Sequence, residues 1–399
     1  MKWARQMRKW DRAAQGADGD AFLDVRDLLT VSPAEIRDCS AVEFSADHTL
    51  GSVVPGDWDV TSKPFASLDI AVAVRDVFFD GRPWSETAFY RNLVSDLARG
   101  LTRFGIHSQQ GIDARCEQIA ELYGSIRSRG YLSADEASKD TGHGRSSLDE
   151  VSVAIGRGGD LLFADGAHRL AIAKALGIEA IPVVVAARHP EWMLFRKEIE
   201  AYVKEHGGAA YQPPLHPDLA RVPAHHECEN RFDLMRGATS SRGGRLLDIG
   251  ANWGYFCHKF EDLGFHCVAV EDSPASVYFL TKLRDARRRQ FAVVSESVLD
   301  ARLVRETVFS VVLALNVFHH FLKTRAAFAR FQSLLAALKT DEMFFEPHLE
   351  GEAQMRSAEA YLSPDELTRF VAESLGLRRI DLLGSDADGR SLFRMTRNG

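Results

Sequence analysis

The sequence predicts an α/β protein of two domains, in which the C-terminal domain is a doubly wound parallel sheet. Three observations favour this fold. The segment 245–256 passes from an apolar run through a turn with two glycines into a new apolar segment, which indicates strand, turn and helix start. Further apolar runs of strand length follow it, separated by segments of helical length. Between residues 150 and 187, a hairpin, helix and strand pattern indicates a smaller α+β domain.

Composition narrows the function classes. The 399 residues suffice for two or three domains, and 45% hydrophobic with 26% charged residues is typical of a globular protein. A formal net charge of −7 argues against a general nucleic-acid binder or a protein of anionic membranes. Five scattered cysteines without CxxC spacing favour a reducing cytoplasm. No run is long enough to span a bilayer, no metal site is predicted, and the basic N-terminus lacks the apolar core of a signal peptide.

The turn after the first C-terminal strand indicates what kind of ligand it takes. Asp248 places a carboxylate where the apolar run ends, and Gly250 and Gly254 bracket the turn. A dinucleotide site requires a glycine in the middle of the turn, so that bare backbone approaches the pyrophosphate. Here that position is Asn252, and Trp253 adds bulk. The turn therefore favours a ligand that has an ammonium group and no phosphate there.

An acidic pair closes the second strand. The strand 266–270 ends in Glu271 and Asp272, about twenty residues past the turn, where an acid accepts hydrogen bonds from two ribose hydroxyls. Glu271 is the better candidate because it follows the strand directly. Asp272 is the alternative, since it also begins the turn with Ser273 and Pro274.

The remaining C-terminal pattern completes a sheet. Runs at 291–294, 309–315 and 343–345 indicate strands three to five. Ser363 to Glu366 form a capping box with proline at the first helical position, and Gly376 fits the end of that helix. Two last runs, 377–383 and 391–396, flank an Asp-Ala-Asp-Gly turn and predict a closing hairpin.

The pattern Asp248-x-Gly250-x-Asn252-x-Gly254 resembles motif I of class I S-adenosylmethionine (SAM) dependent methyltransferases. The resemblance implies a Rossmann-like, seven-stranded sheet whose glycine turn holds the methionine end of SAM. It implies that the residues after strand three border the adenine, and that the segment after strand four lines the floor of the methyl-transfer site. The implied cofactor-binding residues are Asp248, Gly250, Asn252, Gly254, Glu271, Asp272, Glu296, Ser297 and Asn316.

Methyl transfer needs an aligned acceptor, exclusion of water, and a base where the acceptor carries a proton. The predicted catalytic residues are Asn316, His319 and His320, with Glu346 and His348 after strand five as further candidates. His319 or His320 is the expected general base for an oxygen acceptor. The alternative is that one histidine packs under the strand and the other caps the next helix. The segment is not Asn-Pro-Pro-aromatic, which disfavours DNA adenine and glutamine acceptors and favours O-methylation.

The smaller domain contains a second motif. The runs 151–155 and 161–163 predict a hairpin, followed by Asp165-Gly-Ala-His-Arg169, a helix over 170–176 closed by Gly177, and a strand over 181–186. Asp165 and Gly166 stand at the helix start, where unpaired backbone N–H groups attract anions. His168 and Arg169 add donors, and an arginine suits a forked contact with phosphate.

This second motif resembles the ParB/sulfiredoxin superfamily over about residues 150–187. The resemblance implies that Asp165, Gly166, His168 and Arg169 bind nucleotide phosphates, with ATP or CTP and Mg as the expected ligand. Sulfiredoxins carry a cysteine where this chain has Ala167, so redox chemistry is not expected. No helix-turn-helix pattern follows, so DNA partitioning is not expected either. The alternative is that His168 and Arg169 only cap and brace a helix.

We therefore expect an α+β domain at 1–206, a linker at 207–223 and a methyltransferase domain at 224–399, with 137–148 as an exposed loop. The favoured function is methyl transfer to a small-molecule or nucleotide-linked acceptor, assisted by a nucleotide-binding domain. One alternative is a kinase-like phosphotransferase with an auxiliary methyltransferase fold, and another is a non-catalytic SAM-binding module.

Overall fold

The chain divides into two compact units, Met1–Glu200 and Ala201–Gly399. A computed structural model describes residues 28–44, 50–60, 63–133, 136, 150–385 and 389–397. The loop predicted at 137–148 lies outside these ranges. Within them, none of the helices combines the length and the apolar character needed to cross a membrane.

Short and long strands together form the sheet of the first unit. They are β1 (Leu29–Val31), β2 (Asp38–Cys39), β3 (Ser52–Val53), β4 (Val151–Ile155), β5 (Leu161–Asp165) and β6 (Ile181–Arg188). The order is β1-β6-β4-β5-β2, with β3 also beside β6. The predicted hairpin is confirmed, because β4 and β5 pair in antiparallel fashion. β1 and β2 were not predicted, since strands of three and two residues are too short for periodicity to indicate.

The helices of the first unit include the one that begins at the second sequence motif. They are α1 (Asp69–Phe78), α2 (Ala88–Ala98), α3 (Gln109–Arg129), α4 (Ala167–Ala175) and α5 (Pro190–Glu205), which ends in the second unit. Thr87 caps α2 and Ser108 caps α3, each accepting a hydrogen bond from a first-turn backbone N–H. The helix predicted after the motif is α4, and the strand predicted after it is β6.

The second unit contains the seven-stranded sheet that the sequence predicted. Its strands are β7 (Gly244–Ile249), β8 (Phe265–Val270), β9 (Ala292–Val294), β10 (Val308–Leu315), β11 (Lys339–Glu346), β12 (Arg379–Ser385) and β13 (Ser391–Thr396). Among the described residues the order is β12-β13-β11-β10-β7-β8-β9. β7 to β11 pair in parallel, whereas β13 is antiparallel to β11 and β12. The predicted closing hairpin is thus confirmed.

Helices cover both faces of this sheet. They are α6 (Cys228–Ala238), α7 (Tyr255–Asp262), α8 (Pro274–Ala286), α9 (Arg302–Glu306), α10 (Arg325–Ala337) and α11 (Pro364–Leu375). The predicted capping box of α11 is present, because Ser363 and Glu366 each accept the other's backbone N–H. Leu246 and Leu247 are neighbours on β7 but belong to different apolar clusters. Adjacent strand residues point to opposite faces, so the sheet has a core on each side.

The segment 207–223 lies inside the second unit, not between the two units. Ala210 and Leu219 are fully buried, and Ala210 forms a parallel bridge with Ala224. Pro217 begins a short 3-10 helix, for which the His216 ring accepts a hydrogen bond from the Asp218 N–H. Its proline and glycine content indicated a linker, yet prolines also suit the turns of a packed segment.

A buried carboxylate joins three elements of the second unit. Glu342 on β11 is 2% exposed. Its Oε1 accepts a hydrogen bond from Arg394 Nε on β13 at 2.5 Å, and its Oε2 accepts one from Thr239 Oγ1, just after α6, at 2.7 Å. Charged hydrogen bonds shielded from water stabilise a fold more than exposed ones.

We expect Glu342→Gln to lower the free energy of unfolding by about 1–3 kcal/mol, because it leaves Arg394 without its carboxylate partner. Urea unfolding of the full chain measures this. The matched control is Glu306→Gln, which removes an exposed ion pair with Arg302 and should change stability by less than about 0.5 kcal/mol. Equal effects of the two substitutions would contradict a stabilising role for the buried carboxylate.

Candidate functional site

The turn after β7 has the backbone that its glycines predict. Gly250, Asn252 and Gly254 have φ angles of 72°, 51° and 80°, in the left-handed region that favours glycine and tolerates asparagine. The N–H groups of Gly250 and Ala251 donate to Val270 O at 2.9 and 3.1 Å. The turn is therefore fastened to the end of β8.

The glycines also allow close packing around the turn. A Cβ at Gly250 would lie 3.1 Å from Val317 Cγ2, in the segment that follows β10. A Cβ at Gly254 would lie 3.4 Å from both Leu280 Cγ and Phe291 Cζ. The tips of β7 and β10 thus meet at the turn. Trp253 is 1% exposed, so its bulk is buried in the protein.

Glu271 connects the turn to the tip of β8. Its Oε2 accepts the Asn252 N–H at 2.9 Å, and its Oε1 accepts the Ser273 N–H at 2.9 Å. Each carboxylate oxygen retains a lone pair for a second donor. Asp272 is exposed, whereas Glu271 is 9% exposed and lies against the turn. The structure therefore brings Glu271, and not Asp272, to the motif.

Asp248, near the end of β7, is more deeply buried than Glu271. It pairs in register with Ala269 of β8 and Leu313 of β10, and it is 2% exposed. Burial raises the pKa of its carboxyl to about 7, even though the Cys257 thiol donates a hydrogen bond to it at 3.7 Å. A buried carboxylate of this kind attracts a cationic group, which would compensate its charge.

The two residues expected at the adenine follow β9. Because β9 lies parallel beside β8, its carboxyl end is at the same edge of the sheet as Glu271. Glu296 is exposed, and Ser297 is half-buried, with its Oγ accepting the Leu299 N–H at 3.4 Å. Both therefore lie on the expected edge, and Glu296 faces solvent.

Asn316 follows β10 with a φ of 54°. Its N–H donates to Glu346 O at 2.9 Å, which holds the tips of β10 and β11 together. Its side chain is bound at both ends, because Nδ2 donates to Tyr211 Oη at 3.3 Å and Oδ1 accepts from Arg390 Nη1 at 2.9 Å. Asn316 is therefore the centre of a polar network, which limits how freely it can contact a ligand.

Ion pairs extend this network. Arg231 on α6 donates to Glu346 Oε2 at 2.9 Å, and both side chains are almost fully buried. Arg390 lies 3.3 Å from Glu352 Oε2. Burial acts to raise the pKa of Glu352, but hydrogen bonds from Arg390 and Gln354 lower it to about 2. Sequence patterns did not indicate Tyr211, Arg231, Glu352 or Arg390, which are separated by long stretches of chain.

The three histidines here differ in their surroundings. His319 and His348 are 1% and 2% exposed, with ring centres 5.9 Å apart, whereas His320 is exposed and bonds Lys323 through Nδ1 at 2.9 Å. Burial, followed by the charge of His320, lowers the pKa of His319 to about 3. Burial also lowers the pKa of His348. Thr324, not His320, caps the next helix, α10.

The second motif opens α4 in the first unit. Gly166 has a φ of 87°, and a Cβ there would lie 3.0 Å from Val151 Cα, so the position requires glycine. Asp165 is exposed, and its Oδ1 accepts the Gly166 N–H at 2.7 Å. Asp165 thus shapes the entry to the helix.

His168 and Arg169 border a cavity of about 880 Å³. Arg169 lies 3.3 Å from Glu150 and donates to Leu132 O at 2.6 Å, so it also braces the fold. Burial, followed by the charges of Arg115 and Arg103, lowers the pKa of His168 to about 4. Among the described residues, the charged or polar side chains lining the cavity are Arg115, Gln118, Glu121, Ser125, Arg129, His168 and Arg169.

Comparison with known proteins gives one family. Residues 247–337 match a family model described as a methyltransferase domain. The comparison with curated proteins found no match.

Similar solved structures resemble part of the chain. WbdD, described as a bifunctional kinase-methyltransferase, is similar at 18% identity with a TM-score of 0.40. The match covers 50% of this chain and 47% of WbdD, so it spans about half the length of that protein. Magnesium protoporphyrin IX methyltransferase from Synechocystis PCC 6803, solved with bound SAM, is similar at 13% identity with a TM-score of 0.34. That match covers 43% of this chain and 77% of the enzyme.

Structural similarities at this low identity and TM-score support no conclusion about activity. The family match, in contrast, starts on β7 and ends with α10, and it includes the glycine turn, Glu271 and the histidines after β10. The second unit therefore contains a methyltransferase domain.

Proposed function

We propose that the second unit binds SAM at the glycine turn and transfers its methyl group to an oxygen of a small-molecule acceptor. The observation that carries this proposal is the position of Glu271, whose carboxylate holds the Asn252 N–H and keeps lone pairs for ribose hydroxyls. The sequence resemblance to motif I and the methyltransferase family match over the same residues support the choice of SAM.

The charge at the turn supports a cationic ligand. Asp248 and Glu271 are both acidic and buried, and they lie at the tips of neighbouring strands. SAM carries an ammonium and a sulfonium but no phosphate, so it suits two carboxylates better than a dinucleotide does. SAM also supplies the reactive methyl group, which leaves positioning and proton removal to the protein.

His319 is the general base that the geometry favours. Burial lowers the pKa of its imidazole, so the ring is neutral near pH 7 and one ring nitrogen is unprotonated. It lies two residues after Val317, which packs against the glycine turn. His320 is exposed and bonded to Lys323, and it is therefore the weaker candidate. Asn316 organises the site through its network.

We expect Glu271→Gln to weaken SAM binding about 10- to 100-fold, because it removes a charged acceptor worth about 1.5–3 kcal/mol. Isothermal titration calorimetry of the full chain with SAM measures this. Glu306→Gln, on the exposed side of α9, is the matched control and should bind SAM like the wild type. Unchanged affinity in Glu271→Gln, or no SAM binding by the wild type, would reject the site.

We also expect the neutral state of His319 to affect stability. Its pKa is lower in the folded chain than the value of about 6.5 for free histidine, so the unfolded chain binds the extra proton. This contribution to the free energy of unfolding is fully present above pH ~6.5 and is lost as pH falls toward the folded pKa. At pH 5 the free energy of unfolding is therefore lower by about 2 kcal/mol.

Urea unfolding at pH 7.5 and pH 5 tests this. His319→Phe should lose less stability than the wild type between these values, whereas the exposed control His266→Phe should lose as much as the wild type. A wild-type loss equal to that of His319→Phe would show that His319 is not held neutral.

A second candidate function concerns the first unit. We propose that its cavity binds the phosphates of ATP or CTP, with Mg. The supporting observation is that three arginines, His168 and the first turn of α4 line this cavity, against one carboxylate among its described residues. Turnover separates the remaining alternatives: phosphate transfer would favour the kinase-like hypothesis, and SAM binding without turnover would favour a binding module.

For this cavity we expect Arg115→Gln to weaken binding of ATP or CTP at least tenfold, about 1.4 kcal/mol, because a guanidinium that contacts phosphate is lost. Calorimetry with each nucleotide and Mg²⁺ measures it. The control is Arg99→Gln on the exposed end of α2. If neither nucleotide binds the wild type, or if both variants behave alike, the cavity is not a nucleotide site.

A further inference from the structure

A second cavity of the first unit lies at the last turn of α4. Its volume is about 370 Å³, and the described residues that line it all differ from those of the larger cavity at the first turn of that helix. Ligand cavities span about 300–1,000 Å³, so this one suits a small molecule. Its apolar walls come from α1, α4 and the turn before α1, and the apolar lining residues are Phe65, Ala66, Ala71, Val72, Ala171 and Ala175.

Lys174 brings an amine to this cavity. Its side chain is half-buried, and its Nζ lies 5.7 Å from the ring centre of Phe65 on the cavity wall. Among the described residues, this amine makes neither a hydrogen bond nor an ion pair. Solvent nevertheless reaches the nitrogen, because it is not one of the buried unpaired atoms in this part of the chain. A ligand that enters the cavity therefore meets an accessible amine that no protein group occupies.

Burial and a neighbouring cation determine the charge state of this amine. Burial, followed by the charge of Arg37, lowers the pKa of Lys174 to about 8. About one tenth of the amine is then neutral at pH 7, whereas a lysine of ordinary pKa is neutral to roughly one part in 2,500. Proteins that use lysine as a nucleophile toward carbonyl compounds activate it in the same way, by desolvation or by a nearby cation.

The charged lining of the cavity favours an uncharged ligand. Besides Lys174, it consists of Arg75 and the two carboxylates Asp76 and Asp80. An anionic ligand would meet as many carboxylates as cations, so it would lose its hydration without a net attraction. An aldehyde or ketone has no charge to desolvate, and its carbonyl carbon is the electrophile that a neutral amine attacks.

We propose that Lys174 forms an imine with a small, apolar aldehyde or ketone bound in this cavity. The lone pair of Nζ forms a bond to the carbonyl carbon, and the π electrons move to the oxygen, which takes up a proton. The oxygen then leaves as water while nitrogen forms the C=N bond, and both amine protons end in that water. No oxidant or reductant takes part. This activity is independent of the SAM site and of the nucleotide proposed for the larger cavity.

Reductive trapping tests the proposal. The full chain is incubated at pH 7 with butanal and cyanoborohydride, which converts an imine into a stable secondary amine, and peptide mass spectrometry gives the labelling rate of each lysine. We expect Lys174 to be labelled about tenfold faster, or more, than Lys197, an exposed lysine on α5, because the cavity holds the aldehyde beside a nucleophilic amine. Equal rates at the two lysines would overturn the proposal.

A wall variant tests whether the cavity binds the aldehyde. Val72 is 41% exposed, so Val72→Glu should fold like the wild type. The added carboxylate disfavours an apolar ligand and favours the ammonium form, so labelling of Lys174 should fall about fivefold or more, with Lys197 unchanged. The matched control is Val94→Glu on α2, where the valine is 38% exposed and does not line the cavity. If both variants label Lys174 alike, the cavity has no part in the reaction.

The pH dependence and a competitor separate an imine from other uses of the amine. Relative to Nα-acetyl-lysine in the same solution, labelling of Lys174 should be greatest at pH 7 and fall toward pH 10, because its lone pair becomes available near pH 8 and that of ordinary lysine near pH ~10.4. A constant ratio would overturn the activation of Lys174. Butanoate, the anion of the same length, should not protect Lys174, and protection would reveal a carboxylate site in place of an imine.

Discussion

The second unit depends on one carboxylate placed between two backbone N–H groups. Glu271 ends β8, and its two oxygens hold the amides of Asn252 and Ser273. These two hydrogen bonds hold the glycine turn against the end of β8. The turn also packs against Val317, which follows β10. Three strand tips therefore converge at one point of the sheet edge. A doubly wound sheet binds its ligands at such an edge, so a structural constraint and a binding surface are made from the same atoms.

The parts of this fold that the sequence predicted are those encoded by contiguous residues. The glycine turn, the capping box at Ser363 and the closing hairpin each show within a dozen positions. The polar network around Asn316 could not be predicted, because Tyr211 and Arg390 lie 105 and 74 positions away and only folding brings them together. β1 and β2 were missed for a different reason, since strands this short have no period to detect.

The segment 207–223 illustrates how composition and packing can disagree. Prolines and glycines made it resemble a connector, yet Tyr211 within it is held in place by its neighbours. Its ring lies against His226, and its hydroxyl accepts from Asn316. Burial raises the pKa of Tyr211 and keeps its hydroxyl neutral. The segment 207–223, which precedes the sheet in sequence, thus contributes Tyr211 to the polar network around Asn316. A truncation that removes this segment would remove that contact.

Asp248 has a consequence for how a ligand would be captured. Because the pKa of this carboxyl is about 7, its protonated and ionised forms are both populated at pH 7. A cationic ligand that binds beside Asp248 would favour the ionised carboxylate. Ligand binding and proton release would therefore be thermodynamically coupled. The apparent affinity for the cationic ligand would then increase with pH and become constant above about pH 7. The heat of association would also vary with the ionisation enthalpy of the buffer that takes up the proton.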